Sequence, residues 1–376
     1  MKIALSTSVH DIRDPRVTLK IGRGLARHGH QVHLVGGSND SNLRESTFRD
    51  NFLGPMHWHK LTAGISKPVR LQRQIEIWQA LNNISTDLLI IPDPELIPLA
   101  ACRRTVFKTP FIVDIHEDTS DPYYRKNKIL HPLVKWALKN ADGAIFAFSL
   151  ERRPQHPSPK TQHAEAFNYY PLEICRPEPS ENKNRSKNTL TLVYTGVLAP
   201  ERGTDRFVSL VEEINRQGQH CKGIMAGRCY YPDFLAQLRK KLSAPEIQEN
   251  ITLYGGSHFI SWFRLQEILD RADLGYLIYP GGGLHHEVPT KMYEYAAHHI
   301  PVVCSNIPSF KNFTQKHESG ICLQTDDISD QASRIIEYWQ NLELKTIRQS
   351  FEEINKKTWE SQLQNIIKLI SEVAKE

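Results

Sequence analysis

Short apolar runs alternate with stretches in which apolar residues recur every three or four positions. "KIALST" (2–7) and "QVHLVGG" (31–37) are strand-like runs, and residues 17–28 between them repeat apolar positions at helical spacing, with Gly29 placed to end the helix. Strand, helix and strand in that order make a βαβ unit. Further apolar runs follow at "DLLIIPD" (87–93), "PFIVDIHE" (110–117) and "GAIFAFS" (143–149), with helices predicted near 68–83, 94–104 and 129–140. Runs that are apolar without alternation belong to strands covered on both faces, so a parallel sheet is expected.

The texture changes at "PLEICRPEPSENKNRSKN" (171–188), rich in Pro, Asn, Ser and charge, and a linker is predicted over 176–188. The pattern then restarts with strands at 189–196, 221–227, 251–256, 274–280, 301–306 and 320–324, separated by helical stretches. The expected organisation is an α/β protein of two Rossmann-like, doubly wound domains facing across a cleft. An N-terminal domain spans 1–175 and a C-terminal domain 189–356. A last helix over 357–376, with apolar positions at helical spacing in "TWESQLQNIIKLI", follows. In such sheets ligands bind beyond the carboxyl ends of the strands, so the loops after each strand are where chemistry is sought.

Composition narrows the class. A chain of 376 residues that is 40% hydrophobic can bury more than one core. No stretch reaches the roughly 20 apolar residues of a spanning helix, and Met1-Lys2 runs directly into a strand pattern rather than a signal peptide, so a cytoplasmic protein is expected. Six cysteines without a CxxC pair read as reduced core residues. The net charge of +5 divides into +6 for residues 1–180 and −1 for 181–376. The basic clusters Arg103-Arg104, Arg125-Lys126-Lys128 and Arg152-Arg153 are either solvated surface or a contact for an anionic substrate or the lipid head groups of the inner membrane face. No zinc-finger or RNP pattern accompanies them, so nucleic acid is not an expected partner. The first strand-to-helix turn, "STSVHDIRD", lacks the GxGxxG fingerprint, which argues against a nicotinamide-dependent epimerase or dehydrogenase. No D-x-D triplet is present to bridge a diphosphate through a metal.

The segment "VPTKMYEYAAHHIPVVCSN" (288–306) concentrates the candidate chemistry. A carboxylate such as Glu294 offers two oxygens side by side, which suits two adjacent ribose hydroxyls. A helix N-terminus near Thr290, with Lys291 beside it, suits a diphosphate. In "YTGVLAPERGTDRF" (194–207), Gly196 ends a strand, where the main chain can crowd a phosphate, and Arg202 lies six residues on, where it can neutralise a leaving anion. The plainer alternatives are an exposed helix carboxylate and a surface arginine.

These segments resemble the GT-B glycosyltransferases of family 4. Residues 288–306 are similar to that family's "P-x-K-x-x-E-Y-x-A-x-G-x-P-V-V-x-S" signature, and 194–207 to its "G-R-L-x-x-x-K-G" opening. "DIHED" (114–118) resembles "D-x-H-E", "TSVHDIRDPRV" (7–17) its first loop with "D-x-R", and "PDPELIPLA" (92–100) its "D-P-E-L-L-P" helix start. The resemblance implies a metal-independent transferase that takes a UDP- or GDP-sugar and, usually with retention, moves the sugar to a hydroxyl of a glycan or lipid-linked acceptor in surface polysaccharide or glycolipid synthesis. It implies a donor site of Gly196, Val197, Arg202, Gly227, Arg228, Thr290, Lys291 and Glu294, with Gly255 and Gly256 at the base. His116, Arg202 and Glu287 are implied at the reacting centre, and Asp14, Arg16, Glu95 and Glu117 on the acceptor side. The chain departs from the pattern at Val197, where an arginine is usual, and at His286. There the family often places the first of two glutamates seven residues apart, and Glu287 is one position off, so that either Glu287 is brought into place, or His286 contacts the donor sugar, or the donor is held differently. These departures keep a second class open, a catalytically weakened sugar-nucleotide or glycan-binding partner of another transferase.

Overall fold

The computed structural model describes residues 1–38, 56–62, 70–116, 129–151, 161–175, 188–280, 288–324 and 326–375. Glu117, His286 and Glu287, and the basic clusters at 125–128 and 152–153, lie outside them. The chain divides into two compact units, one of Met1–Tyr169 with Trp359–Glu376 and one of Tyr170–Thr358.

In the first unit the strands β1 (Lys2–Ser6), β2 (Gln31–Gly36), β3 (His57–Lys60), β4 (Leu88–Ile91), β5 (Phe111–Ile115), β6 (Gly143–Phe146) and β7 (Gln162–Glu165) form one sheet in the order β3-β2-β1-β4-β5-β6-β7. Every described pairing is parallel. The strands are apolar on both faces because both faces are covered. Ile3, Leu5, Leu88 and Ile90 join one core with the helix Trp359–Val373, while Ala4, Leu89 and Ile91 join the core under the helices Arg70–Asn82, Ile97–Phe107 and Leu130–Asn140. The helix predicted over 17–28 begins earlier, as a π-helical segment Pro15–Gly22 that continues into Arg23–Arg27. Asp14 starts it by accepting from the amides of Arg16 and Val17, and Pro15 takes the first position, where no amide is needed. Gly24 lets this helix approach Trp359–Val373 closely, since a Cβ there would stand 2.6 Å from a Leu363 methyl.

The second unit repeats the design. Strands β8 (Thr189–Thr195), β9 (His220–Arg228), β10 (Ile251–Gly256), β11 (Leu274–Leu277), β12 (Val302–Ser305) and β13 (Gly320–Leu323) lie in the order β10-β9-β8-β11-β12-β13, all parallel. Leu190, Leu192 and Tyr194 face one core and Val193 the other. In each sheet the order reverses once, between β1 and β4 and between β8 and β11. These two reversal points are where a doubly wound sheet opens a crevice beyond its strand ends.

Arg103 corrects the reading of the first basic cluster. Its guanidinium is buried, bonded to the Asn82 side chain and the Leu81 carbonyl and set over the Phe107 ring at 4.8 Å, while Arg104 pairs with Asp142 at 2.7 Å. A stem that reaches across the neighbouring helix has removed half of that cluster from the surface.

Candidate active site

At the reversal point of the second unit, β8 ends at Thr195 and the chain turns through Gly196 at φ +111°, a conformation open to glycine. Its amide donates to the Ala226 carbonyl, and its α-carbon faces Lys291, whose Cε would lie 2.5 Å from any Cβ placed there. Gly227, at the end of β9, is required by the same crowding, because its Cβ would fall 1.6 Å from the Gly196 carbonyl oxygen. Gly255, at φ +87°, repeats the pattern against the Gly227 carbonyl, and Gly256 pairs in register with Arg228. These glycines are set first by backbone passing backbone.

Glu294 lies on the helix Thr290–Ala297, with only 8% of its surface exposed. Its Oε1 accepts from the Tyr170 hydroxyl at 2.5 Å and its Oε2 from the Thr195 hydroxyl at 3.1 Å. One turn earlier Lys291 sits over the Tyr194 ring at 4.3 Å, with its Nζ 3.3 Å from the Tyr194 hydroxyl. Burial lowers the Lys291 pKa to about 7; the nearby Arg202 charge acts in the same direction and Glu294 opposes both. Arg202, in the turn Pro200–Arg202, lies over the Tyr279 ring at 5.1 Å, and Lys291 reaches the same ring at 5.9 Å. Gly196, Arg202, Lys291 and Glu294, separated along the chain, are thus gathered at one strand end. The same helix starts at Thr290, with Pro289 at its N-cap and no capping side chain. Two cations held on aromatic faces beside a strand-end glycine can take an anion such as a diphosphate.

Val197 turns its side chain out, 38% exposed, and its carbonyl accepts from the Tyr194 hydroxyl. Arg228 stacks on Tyr230 and Phe259, at 4.8 and 5.0 Å.

The reversal point of the first unit holds a second polar cluster. Asp93, just past β4, accepts through Oδ2 from the Thr7 hydroxyl and the Ser8 and Val9 amides, and its Oδ1 lies 2.5 Å from Nδ1 of His10. Burial alone would lower the His10 pKa. The hydrogen bond and charge of Asp93, with Asp14 and Asp114 behind, outweigh burial and raise it to about 9, while the same contacts bring Asp93 down to about 2. The Nε2 atoms of His10 and His116 stand 3.3 Å apart. His116 Nδ1 is 3.6 Å from Asp114, which Arg16 grips with two bonds of 2.6 and 2.8 Å, and burial of that carboxylate is overcome so that its pKa falls well below the ordinary range. Arg16 also donates to the Ala166 carbonyl and the Asn168 side chain. Asp14 is occupied as the helix cap, and Glu95 stands in the turn Pro94–Leu96, its carbonyl accepting from Gln74.

Sequence reasoning singled out His116 but not His10, Asp93 or Asp114. The available signal was two aspartates at the ends of apolar runs, since a buried carboxylate needs partners.

The family described as "Glycosyl transferases group 1" matches residues 176–358, and that described as "Glycosyl transferase 4-like domain" matches residues 15–154. The chain is a GT-B glycosyltransferase of the family 4 type. Alpha-D-kanosaminyltransferase from Streptomyces kanamyceticus is 20% identical over 253 residues, which is 62% of this chain and 62% of that protein's length. Among solved structures this glycosyltransferase is similar to Anabaena HepE in complex with UDP-glucose, with a TM-score of 0.71, 13% identity and 99% of each chain covered. It is also similar to a sucrose-phosphate synthase from Thermosynechococcus elongatus, with a TM-score of 0.69, 15% identity, and 99% of this chain and 98% of the other covered. At these identities the structural likeness speaks for the fold.

Proposed function

We propose that this glycosyltransferase binds a nucleoside diphosphate sugar on its second unit and transfers the sugar, with retention, to a hydroxyl of a glycan or lipid-linked acceptor bound on its first unit. The carrying observation is the meeting of Glu294, Lys291 and Arg202 around Gly196. The ribose hydroxyls donate to Glu294, and the two cations take the charge that grows on the departing diphosphate, so no metal is called for. HepE, similar in fold, is known bound to UDP-glucose, which supports UDP as the first nucleotide to try. On the first unit His116, its ring set by His10 and Asp114, contacts the sugar or acceptor hydroxyl. Synthesis of a surface polysaccharide or glycolipid is in keeping with the exposed Val106, Phe107 and Trp136 and the exposed Lys108, Lys135 and Lys139 on or next to two packed helices, residue types suited to an anionic lipid surface. No described helix is long and apolar enough to cross a membrane.

The experiment is release of nucleoside diphosphate from a panel of UDP- and GDP-sugars in the presence of EDTA. Slow hydrolysis of one donor by the wild type, lowered at least a hundredfold in Glu294→Ala, is the expected result. Binding of a donor with no turnover across donors and acceptors would instead make the chain a partner of another transferase.

A further inference from the structure

The Tyr170 hydroxyl that holds Glu294 is itself held. A phenol has one proton, and because Glu294 can only accept, that proton is committed to Oε1 at 2.5 Å. The phenol oxygen then has acceptor capacity alone, which Trp262 and the Gln266 amide nitrogen, at 3.5 Å, address as donors. With its NH2 turned to Tyr170, Gln266 presents its carbonyl to Nε2 of the buried His298 at 2.6 Å, so that nitrogen carries a proton. Nδ1 of the same ring faces Asp270 at 2.8 Å. From His298 through Gln266 and Tyr170 to Glu294 every proton therefore points one way. Asp270, whose side chain is one-third exposed, holds the far side of the ring.

The consequence falls on the lone pairs of Glu294. A carboxylate has about four acceptor sites, two on each oxygen. Tyr170 takes one on Oε1 and Thr195 one on Oε2. One site on each oxygen is left, the number a vicinal diol needs.

We infer that Tyr170, backed by Gln266, His298 and Asp270, is a positioning relay that turns the free edge of the Glu294 carboxylate toward the two ribose hydroxyls of the donor and so sets ribose recognition. The inference rests on the reading of Glu294 as the ribose acceptor. Tyr170 and its supporters touch no reacting atom. Their effect is on nucleotide discrimination and donor KM rather than on kcat.

The test is calorimetric binding of UDP and GDP, and of their 2′-deoxy forms, to the full chain and three variants. Wild type should prefer the ribonucleotide on the order of tenfold. Tyr170→Phe removes the donor to Oε1 and should bring the preference to within about twofold, with donor KM raised and kcat kept within about threefold. Gln266→Glu keeps the side-chain shape and the phenol but puts an acceptor where a donor stood, so it should lower the preference in the same way, and it serves if Tyr170→Phe does not fold. Glu294→Gln separates the two claims. If it keeps the wild-type preference, Glu294 does not read ribose and the relay falls with it. If it loses the preference while Tyr170→Phe and Gln266→Glu both retain it, the relay alone is overturned.

Discussion

If the donor is held as proposed, Lys291 is the side chain whose charge state most directly bears on its binding. With burial and Arg202 bringing its pKa to about 7, the amine is only partly charged at neutral pH, and an arriving diphosphate restores the charge by stabilising the cation. Nucleotide binding at pH 7 should therefore be accompanied by uptake of roughly half a proton. Calorimetry in buffers of different ionisation enthalpy measures this directly, and Lys291→Met should abolish it. Affinity should weaken as pH rises above 7.

His10 is shifted the other way. Its folded pKa, about 9, is raised above the ordinary 6.5, so its contribution is fully present below pH 6.5 and is lost as pH rises through 9. The size is on the order of 3 kcal/mol. Hydrogen-exchange protection in β1 and β4 should decline over that window in the wild type and stay level in His10→Asn, whose amide can still donate to Asp93. At this scale the sequence was legible only in part. Gly196, Lys291 and Glu294 lie in motifs that can be read in one line, whereas Thr7 and Asp93 are 86 positions apart and Tyr170 and Glu294 are separated by 124. Those pairs meet because β1 lies beside β4 and because residue 170 opens the second unit, facts of strand order that no local window contains.

Elements were easier to read where burial forces the composition. Strands covered on both faces must be apolar throughout, and the runs at β1, β4, β5, β8 and β11 declared themselves for that reason. β3 and β7 did not. "HWHK" and "QHAE" are sheet edges, half wet, whose polar residues carry no strand signal. The π-helical segment was equally hidden, because apolar spacing over a single turn does not separate an α from a wider turn. The strand-end glycines give a sharp prediction at this scale. Gly227→Ala sets a methyl against the Gly196 carbonyl oxygen, a clash of main chain with main chain that no rotamer relieves. A loss of about 3 kcal/mol in stability is expected, read as the shift in denaturant midpoint at constant slope. Nucleotide binding should fall with it.

The chain as a whole is threaded so that the first unit is made from two separate stretches. Trp359, Leu363, Ile366, Leu369, Ile370 and Val373 of the last helix pack into the same core as Ile3, Leu5 and Ile90, and the Trp359 indole donates to the Lys20 carbonyl at 2.8 Å. Ile366→Ala, at a fully buried position, should destabilise by 2–5 kcal/mol, roughly the range for cavity-forming changes. The loss belongs to the first unit, so exchange should quicken in β1, β4 and β5 ahead of β8 and β11, and equal quickening in both sheets would contradict the division.

The same threading reverses the usual order of events on the ribosome. Domains ordinarily fold from the N-terminus as they emerge. Here the nascent first sheet has one face bare, with Ile3, Leu5, Ile90, Ile112 and Ile145 waiting for a helix that is translated only after residues 170–358. The second unit can close while still tethered to the ribosome. The first unit must wait for Trp359–Val373, and through that interval its open hydrophobic face is the surface a chaperone would meet.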